Sequence, residues 1–172
     1  MPRPTDTTTS LSLSASALSD LYPENFAGEE ALNVLGSLTL HGYSATALSM
    51  SDAVASHLTA TLHNDDQQRP LDALCAQIGQ LPGDASVERY QLILRPWLWW
   101  LTLASNNRVF QNKSTSDIVT SIFDTHGFSD YQLKLTGSYT PREYCVQYTE
   151  TDFAFVSRLL EEEGIFWFFT HA

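Results

Sequence analysis

Alternating apolar and polar residues dominate the first half of the chain and predict a series of short strands. The predicted strands are residues 11–17, 33–40, 54–62, 71–81 and 87–94. Residues 71–81 also fit a helix, but the turn that follows them favours a hairpin of two strands. Residues 22–28, with a proline and a glycine, predict a turn. Five or six short strands in succession are typical of a small barrel or sandwich.

The pattern changes at Pro96, after which helical spacing appears. A helix is predicted to begin at a cap supplied by Ser114 or Ser116 and to end at Gly127. Its apolar stripe consists of Ile118, Val119, Ile122 and Phe123. Residues 131–135 alternate again and predict a further strand.

Residues 142–169 predict a strand, a capped helix and a second strand with little chain between them. Tyr144, Val146 and Tyr148 share one face of the half-buried first strand, and Glu143, Cys145 and Gln147 share the other. The helix is predicted to begin at Thr149 or Thr151 and to end at Gly164. Its apolar face is Phe153, Val156, Leu159 and Leu160. Residues 165–169, apolar on both faces, predict a strand buried on both sides.

Three glutamates, Glu161, Glu162 and Glu163, crowd the end of this predicted helix. The helix dipole favours cations at that position, so the run is locally unfavourable. One interpretation is that the three glutamates are solvated at the helix end, where each charge costs a few tenths of a kcal/mol of stability. The alternative is that these carboxylates meet basic groups on another module or subunit.

Composition and pattern together predict an α+β fold that is mostly β. A small β-barrel is expected at residues 1–97 and an α+β module at residues 98–172. Nine basic and twenty acidic residues give a net charge of −11, which argues against nucleic acid and anionic membranes as partners. Cys75 and Cys145 lie in apolar runs and are predicted to be buried thiols. The N-terminus lacks the apolar run of a secretory signal.

The candidate chemistry is sparse. His57 and His63 share a predicted strand face near Asp65 and Asp66, but six residues of extended chain separate the two rings by about 20 Å, too far for one metal. The pair Glu29 and Glu30 is expected to be solvated, with no apolar surroundings to raise a pKa. Nucleotide-binding and nucleophile motifs are absent from the sequence. No catalytic, cofactor-binding or metal-binding residue is therefore predicted.

The segment REYCVQYTETDFAFVSRLLEEEGIFWFF, residues 142–169, resembles the signature of the VgrG proteins. These form the spike of the bacterial type VI secretion system and are related to phage late-control and tail-hub proteins. Residues 89–128 resemble the family's run of strand, RPW, Trp/Leu turn and helix, and residues 26–40 resemble its first block. The resemblance covers roughly residues 26–171.

This resemblance implies a barrel followed by an α+β insertion, in a trimeric hub whose barrels form a pseudo-sixfold ring. It also implies docking on the haemolysin-coregulated-protein (Hcp) tube, delivery of effectors or adaptors, and departure from the bacterial cytoplasm through the type VI apparatus. Enzymes of the family are carried as extra C-terminal domains, so the chain is expected to be non-enzymatic. We nominate as subunit or domain contacts Glu161, Glu162, Glu163, Ile165, Phe166, Trp167, Phe168 and Phe169.

The chain departs from the family pattern in two respects. Asp72 and Ala73 stand where the family typically has a His-Gly pair, so we expect poorer strand pairing there. The family also continues well past the position of residue 172, which makes a truncated spike fragment one alternative. A small-molecule or glycan-binding module is the other, and it would require Trp97, Trp99 and Trp100 to line an open cleft.

Overall fold

The computed structural model describes residues 9–64, 67–83 and 86–171, which form two compact units. The first unit comprises the described part of Met1–Trp97 together with the chain from Phe169. The second comprises Leu98–Phe168. Each unit has a sheet of its own. Over the described ranges, no helix is long and apolar enough to cross a membrane.

An antiparallel sheet of six strands makes up most of the first unit. In chain order the elements are β1 (Thr9–Ser14), a 3-10 helix (Ser16–Leu18), β2 (Tyr22–Glu29), β3 (Ser37–Ser44), α1 (Met50–Ala53), β4 (His57–Asn64), β5 (Gln67–Leu81) and β6 (Glu88–Arg95). The strands lie in the order β1-β4-β5-β6-β3-β2. Because the edge strands β1 and β2 also contact each other, the sheet curls towards a barrel.

Alternation along the strands places one face of this sheet inside the curl. In β3, and over most of β6, every second residue is buried. The fully buried side chains of this layer include Leu40, Leu58, Tyr90, Leu92 and Leu94. Burying one leucine side chain stabilises a fold by roughly 1.5–3 kcal/mol, so this layer is the main source of the unit's stability.

The predicted strand at β5 is confirmed, and it is long because it changes partners. It pairs with β4 up to Leu74 and with β6 from Leu74 onwards. A register shift between Cys75 and Gln77 accompanies the change, as is common where a barrel strand bends. The register with β4 runs unbroken through Asp72 and Ala73, so the expectation of poorer pairing there is wrong.

Residues 22–28 form most of β2, so the predicted turn is wrong. Pro23 lies near the start of the strand, and the register with β3 shifts just after it. Gly28 lies so close to β3 that a Cβ there would be 2.6 Å from the backbone oxygen of Ser37. Pro23 therefore lies at the start of a strand, and Gly28 allows two strands to pack closely, although together they indicated a turn.

Two strands begin later than predicted, each after a residue with left-handed backbone. β3 begins at Ser37 because the preceding chain turns at Asn33, which has a φ of 59°. β4 begins at His57 because the chain before it forms α1 and then turns at Ala55, which has a φ of 66°. Such φ values interrupt the extended backbone of a strand.

A two-stranded antiparallel sheet and two helices make up the second unit. After a 3-10 helix (Trp97–Thr102), its elements are β7 (Ser105–Lys113), α2 (Thr115–Thr125), β8 (Arg142–Thr151) and α3 (Asp152–Glu162). The prediction of α2 is confirmed. The Ser114 hydroxyl accepts from the Asp117 N–H at 3.2 Å, and the Asp117 carboxylate accepts from the Ser114 N–H at 3.1 Å. Gly127, with a φ of 73°, follows the helix.

Neither of the strands predicted at residues 131–135 and 165–169 forms. Tyr131 instead packs edge-on against Phe123 of α2, with ring centroids 5.0 Å apart. A strand needs a partner backbone for its N–H and C=O groups. In the described part of this unit, β7 and β8 pair with each other and no third strand joins them.

Candidate assembly surfaces and the network behind them

The junction between β8 and α3 combines a helix cap with a strained bulge. Thr151 is the cap, because its hydroxyl accepts from the Ala154 N–H at 3.1 Å. Thr149, the other predicted cap, has a φ of 52° where the register of β8 with β7 shifts. Its N–H donates to the Asn107 side-chain oxygen at 2.8 Å. A β-branched residue is rare in left-handed backbone, so the bulge is strained.

A fully buried carboxylate, Asp152, collects four polar side chains at this junction. One of its oxygens accepts from Arg108 at 2.9 Å and from Gln147 at 2.7 Å. The other accepts from His126 at 2.7 Å, and the Asn106 amide lies 3.0 and 3.2 Å from the two oxygens. These donors come from β7, from the end of α2 and from β8. One carboxylate therefore ties three elements to the start of α3.

Hydrogen bonds and charge pairing keep this carboxyl group ionised inside the unit. Burial raises the pKa of Asp152, but hydrogen bonds from Gln147, His126 and Asn106 and the charge of Arg108 outweigh it, and the net pKa shift is downward. A carboxylate has about four acceptor positions, and the protein donors occupy them. The side chains of the unit thus satisfy the buried charge of this carboxylate.

Arginines of the same unit pair with two of the three glutamates at the end of α3. Arg142 donates to Glu162 at 2.5 Å and to Glu163 at 2.9 Å, and Arg158 donates to Glu162 at 3.2 Å. The hydrogen bond from Arg142 is the main cause that lowers the pKa of Glu162. These two carboxylates thus meet basic groups within their own unit, and their contact with another module or subunit stays a prediction. Glu161 is exposed, and its contact with another subunit stays a prediction.

Residues 165–169 present aromatic rings on one side. Phe166 and Phe168 are 62% and 57% exposed, and their rings stack with centroids 6.4 Å apart. Trp167 is half-buried and packs edge-on against Phe153 of α3 at 6.2 Å. The predicted burial on both sides is wrong, because only the tryptophan side of the segment is covered. The role of these residues as subunit or domain contacts remains a prediction.

The outward side of β7 and β8 is a surface that the sequence did not identify. The strands bury Cys145 and Gln147, whereas Tyr144, Val146 and Tyr148 are 59%, 38% and 73% exposed. We name six exposed residues of these strands the neutral face: Asn107, Val109, Gln111, Tyr144, Val146 and Tyr148. Glu143 of β8 is exposed beside them. The sequence pattern separated the two sides of β8, but the burial of polar Gln147 follows from its bond to Asp152, which local pattern does not reveal.

Among the described residues, the candidate ligands from the sequence do not converge on a metal site. The His63 ring lies 2.7 Å from the Ser12 hydroxyl. Asp65 and Asp66 lie outside the described residues. Throughout the described ranges, no group of three or more His, Cys, Asp or Glu side chains is placed to hold a metal. Glu30 lies on the exposed surface, as predicted, where its carboxylate also pairs with Arg69 at 2.7 Å and lies 2.5 Å from a ring nitrogen of His171.

The tryptophans and cysteines serve packing. Trp99 and Trp100 are half-buried, with ring centroids 5.6 Å apart. Trp97 packs edge-on against Phe169. Rings packed in this way are typical of core anchors rather than of an open sugar platform. The predicted buried thiols are confirmed, and burial raises the pKa of Cys75 to about 11 and also raises the pKa of Cys145.

Comparison with protein families gives a match over residues 29–172 to the phage tail baseplate hub (GPD) model. The chain belongs to the phage tail baseplate hub family. This hub chain is 46% identical over 114 residues to the type VI secretion system spike protein VgrG1b of Pseudomonas aeruginosa. It is 47% identical over 104 residues to VgrG1c of the same organism. The alignments cover 66% and 60% of this chain but only 15% and 14% of those relatives.

Solved structures agree with the predicted tail-hub-like, mostly β fold. The E. coli c3393 protein is a type VI component with structural similarity to the T4 tail proteins gp27 and gp5. It matches 92% of the hub chain and 45% of its own, with a TM-score of 0.80 and 25% identity. The Francisella PdpA–VgrG complex matches 83% of the chain and 22% of its own, with a TM-score of 0.56. At 14% identity, that likeness shows the fold alone.

The relatives are named both for the spike and for a toxin. The actin cross-linking toxin VgrG1 of Vibrio cholerae is 40% identical over 82 residues, which cover 48% of the hub chain and 8% of the toxin. A spike protein of the same species, VgrG3, aligns with the same identity and length. The part that the hub chain shares with both is therefore a small fraction of each protein.

Proposed function

We propose that this chain is a structural part of a type VI secretion spike. In this proposal it supplies the first barrel and the α+β module of a trimeric hub, which docks on an Hcp-type tube and carries effectors or adaptors. It acts by assembly and not by catalysis. It is made in the bacterial cytoplasm and leaves through the type VI apparatus.

The observation that carries this proposal is the 46% identity with a spike protein, together with a fold match over 92% of the chain to a type VI component. The side-chain chemistry agrees with it. Asp152 and Glu162, whose pKa values are lowered, are both held by donors of their own unit. These hydrogen bonds and ion pairs support the proposal that the chain is a rigid structural component.

Within the hub we assign the barrel to residues 1–97 and the α+β module to residues 98–172. Among the nominated contacts, Glu161, Glu162, Phe166 and Phe168 are exposed. Exposed aromatic side chains favour protein contacts because they bury a large apolar area with few rotatable bonds.

A segment exchange tests the proposed function. This chain replaces the aligned segment of Pseudomonas aeruginosa VgrG1b in a strain that lacks its own spike proteins, and the tube protein released into the medium is measured. We expect the chimera to support release. Two variants of the chimera serve as controls. Phe155→Asp, at a fully buried position, should abolish release of the tube protein, whereas Leu133→Glu, at a 46% exposed position, should not.

The proposal is wrong if the chimera accumulates as a folded protein and no tube protein leaves the cell. Light scattering on the purified chimera distinguishes a failure to form the trimer from a failure to dock on the tube. A folded monomer would locate the failure in assembly, and a trimer without release would locate it in docking on the tube.

A further inference from the structure

We propose that a shallow cleft on the first unit binds a neutral sugar ring. The cleft has a volume of about 230 Å³ and lies where β2, β3, β5 and β6 come together. Its polar lining consists of Glu24, Asn25, His41 and Arg89. The tryptophans that the glycan-binding alternative required do not line it. Sugar binding here goes beyond the assembly role and does not depend on it.

A β-bulge in β2 places a charged pair at the cleft. The register of β2 with β3 shifts between Pro23 and Asn25, so Glu24 is the extra residue of the bulge. Its carboxylate accepts two hydrogen bonds from Arg89 Nη1, at 2.6 and 2.8 Å. Arg89 belongs to β6, on the far side of β3, so this ion pair reaches across a strand. The bulge thus holds a carboxylate and a guanidinium group side by side at the cleft.

The polar groups of the cleft keep hydrogen-bonding capacity for a ligand. His41 Nδ1 donates to Asn25 Oδ1 at 2.7 Å, which leaves His41 Nε2 as an acceptor. Glu24 keeps lone pairs beyond the two that Arg89 occupies, and the Asn25 amide nitrogen and Arg89 Nε are further donors. Within the described ranges, no protein group occupies these remaining positions. The cleft therefore offers both donors and acceptors to one small molecule.

This mixture of donors and acceptors selects hydroxyl groups. An anion accepts from Asn25 and Arg89, but Glu24 and the net charge of −11 repel it. A cation is repelled by Arg89, and no group of three or more His, Cys, Asp or Glu side chains in the described chain is placed to hold a metal. A hydroxyl donates and accepts at a single atom. Neighbouring hydroxyls of a neutral sugar can therefore satisfy the carboxylate, the imidazole and the amide together.

The size and the border of the cleft favour a single ring. Pockets for drug-sized ligands measure about 300–1,000 Å³, so this cleft suits a smaller molecule. Tyr22 is 59% exposed and stacks on Tyr43, with ring centroids 5.5 Å apart. Tyr43 lies opposite Arg89 in the register of β3 with β6, so the tyrosine pair borders the cleft. An exposed aromatic ring offers an apolar surface for the C–H groups of a sugar.

The test titrates the isotope-labelled 172-residue chain with methyl glucoside, methyl galactoside and N-acetylglucosamine, and follows the backbone amide signals by NMR. We expect shifts in residues 22–25, 41–43 and 89–91 with at least one of the sugars. The dissociation constant should be on the order of 1 mM, because a small ligand in a shallow site buries little surface. Inorganic phosphate and Zn²⁺ are the probes for the two competing ligand classes.

Glu24→Gln is the decisive variant, because it keeps the shape of the side chain and removes the charge that accepts the sugar hydroxyls. The Glu24 side chain is 34% exposed, so the substitution should not prevent folding. The matched control is Glu29→Gln, the same change at an exposed position of β2 outside the cleft. Circular dichroism and thermal unfolding verify that both variants are folded.

We expect Glu24→Gln to weaken sugar binding by roughly tenfold, and Glu29→Gln to leave it within about twofold, because hydrogen bonds to a charged acceptor are the stronger ones. Three results would overturn the sugar site. The first is that none of the sugars shifts the cleft amides at about 50 mM, far above the expected dissociation constant. The second is an equal loss of binding in the two variants. The third is that phosphate or Zn²⁺ shifts these amides and the sugars do not.

Discussion

Replacing Asp152 by asparagine measures how far the second unit depends on one buried charge. The side chain keeps its shape but loses its charge, and one of its two acceptor oxygens becomes an NH2 group. At one oxygen position that group would face donors from Arg108 and Gln147, and at the other it would face His126, with the Asn106 amide near both, at distances of 2.7 to 3.2 Å. The substitution therefore leaves donors without an acceptor and a charge without its partner.

The expected loss of stability follows from burial. Asp152 is fully buried, and the Arg108 side chain is only 23% exposed. Removing one member of a buried ion pair typically costs 3–5 kcal/mol, so we expect Asp152→Asn to lower the free energy of unfolding of the second unit by about 3–5 kcal/mol. With a urea slope of about 1–3 kcal/mol per molar, the midpoint of unfolding should fall by about 1 M or more.

Urea unfolding followed by tryptophan fluorescence is the assay, because Trp99, Trp100 and Trp167 all lie in the second unit. The control is Asp124→Asn, the same chemical change at an exposed position of α2, which should stay within about 0.5 kcal/mol of wild type. If the two substitutions shift the midpoint equally, the network does not carry the stability assigned to it.

Three further predictions are tested by unfolding the protein with urea or heat. The ionised Asp152 contributes stability that is fully present above its unfolded pKa of about 3.9 and is lost as the pH falls through its lower folded pKa, so Asp152→Asn should abolish that acid-dependent loss in urea titrations at several pH values. Arg142→Met should cost about 1 kcal/mol, because its side chain is 25% exposed and pairs with two carboxylates, whereas Arg69→Met, at 68% exposure, should cost almost nothing. Gly28→Ala should destabilise the first unit by about 1–3 kcal/mol through a clash with β3, whereas Gly79→Ala, with no atom within 4 Å of the added Cβ, should be neutral in thermal unfolding.

Elements whose signals are local were predictable from the sequence. The α2 helix has its cap at Ser114, its apolar stripe and its terminal Gly127 within a short stretch, and the structure has each of them in place. Residues 71–81 also fitted a helix, but the turn after them and the alternation of residues 87–94 favoured the hairpin that β5 and β6 form. In both cases neighbouring residues carry the information that decides the structure.

The misassigned segments depend on partners that are distant in sequence. Gly28 indicated a turn because its close approach to Ser37 is visible only once two strands are paired. Residues 165–169 have the apolar pattern of a strand, but no strand of the described chain pairs with them. A local pattern can predict which residues would suit a strand, but it cannot supply the neighbouring backbone.

The Asp152 network escaped prediction for a related reason. Its donors lie at positions 106, 108, 126 and 147, and none of these belongs to a motif with Asp152. Local propensity assigned Asp152 to the first turn of a helix, which is correct, but its burial depends on all four donors together. The neutral face follows from that burial, because the inward position of Gln147 decides which side of β8 faces solvent.

The long span between Asn106 and Asp152 has a consequence for how the second unit folds. These residues are 46 positions apart, and β7 must meet β8 before either has a paired neighbour. Closing a loop of this length costs about 3 kcal/mol of chain entropy before any contact repays it. The short helices α2 and α3 can form transiently on either side of that closure. We therefore expect the meeting of the two strands to be the slow event in the folding of this unit, and substitutions at Asp152 to slow folding, measured by stopped-flow refolding, as well as to lower stability.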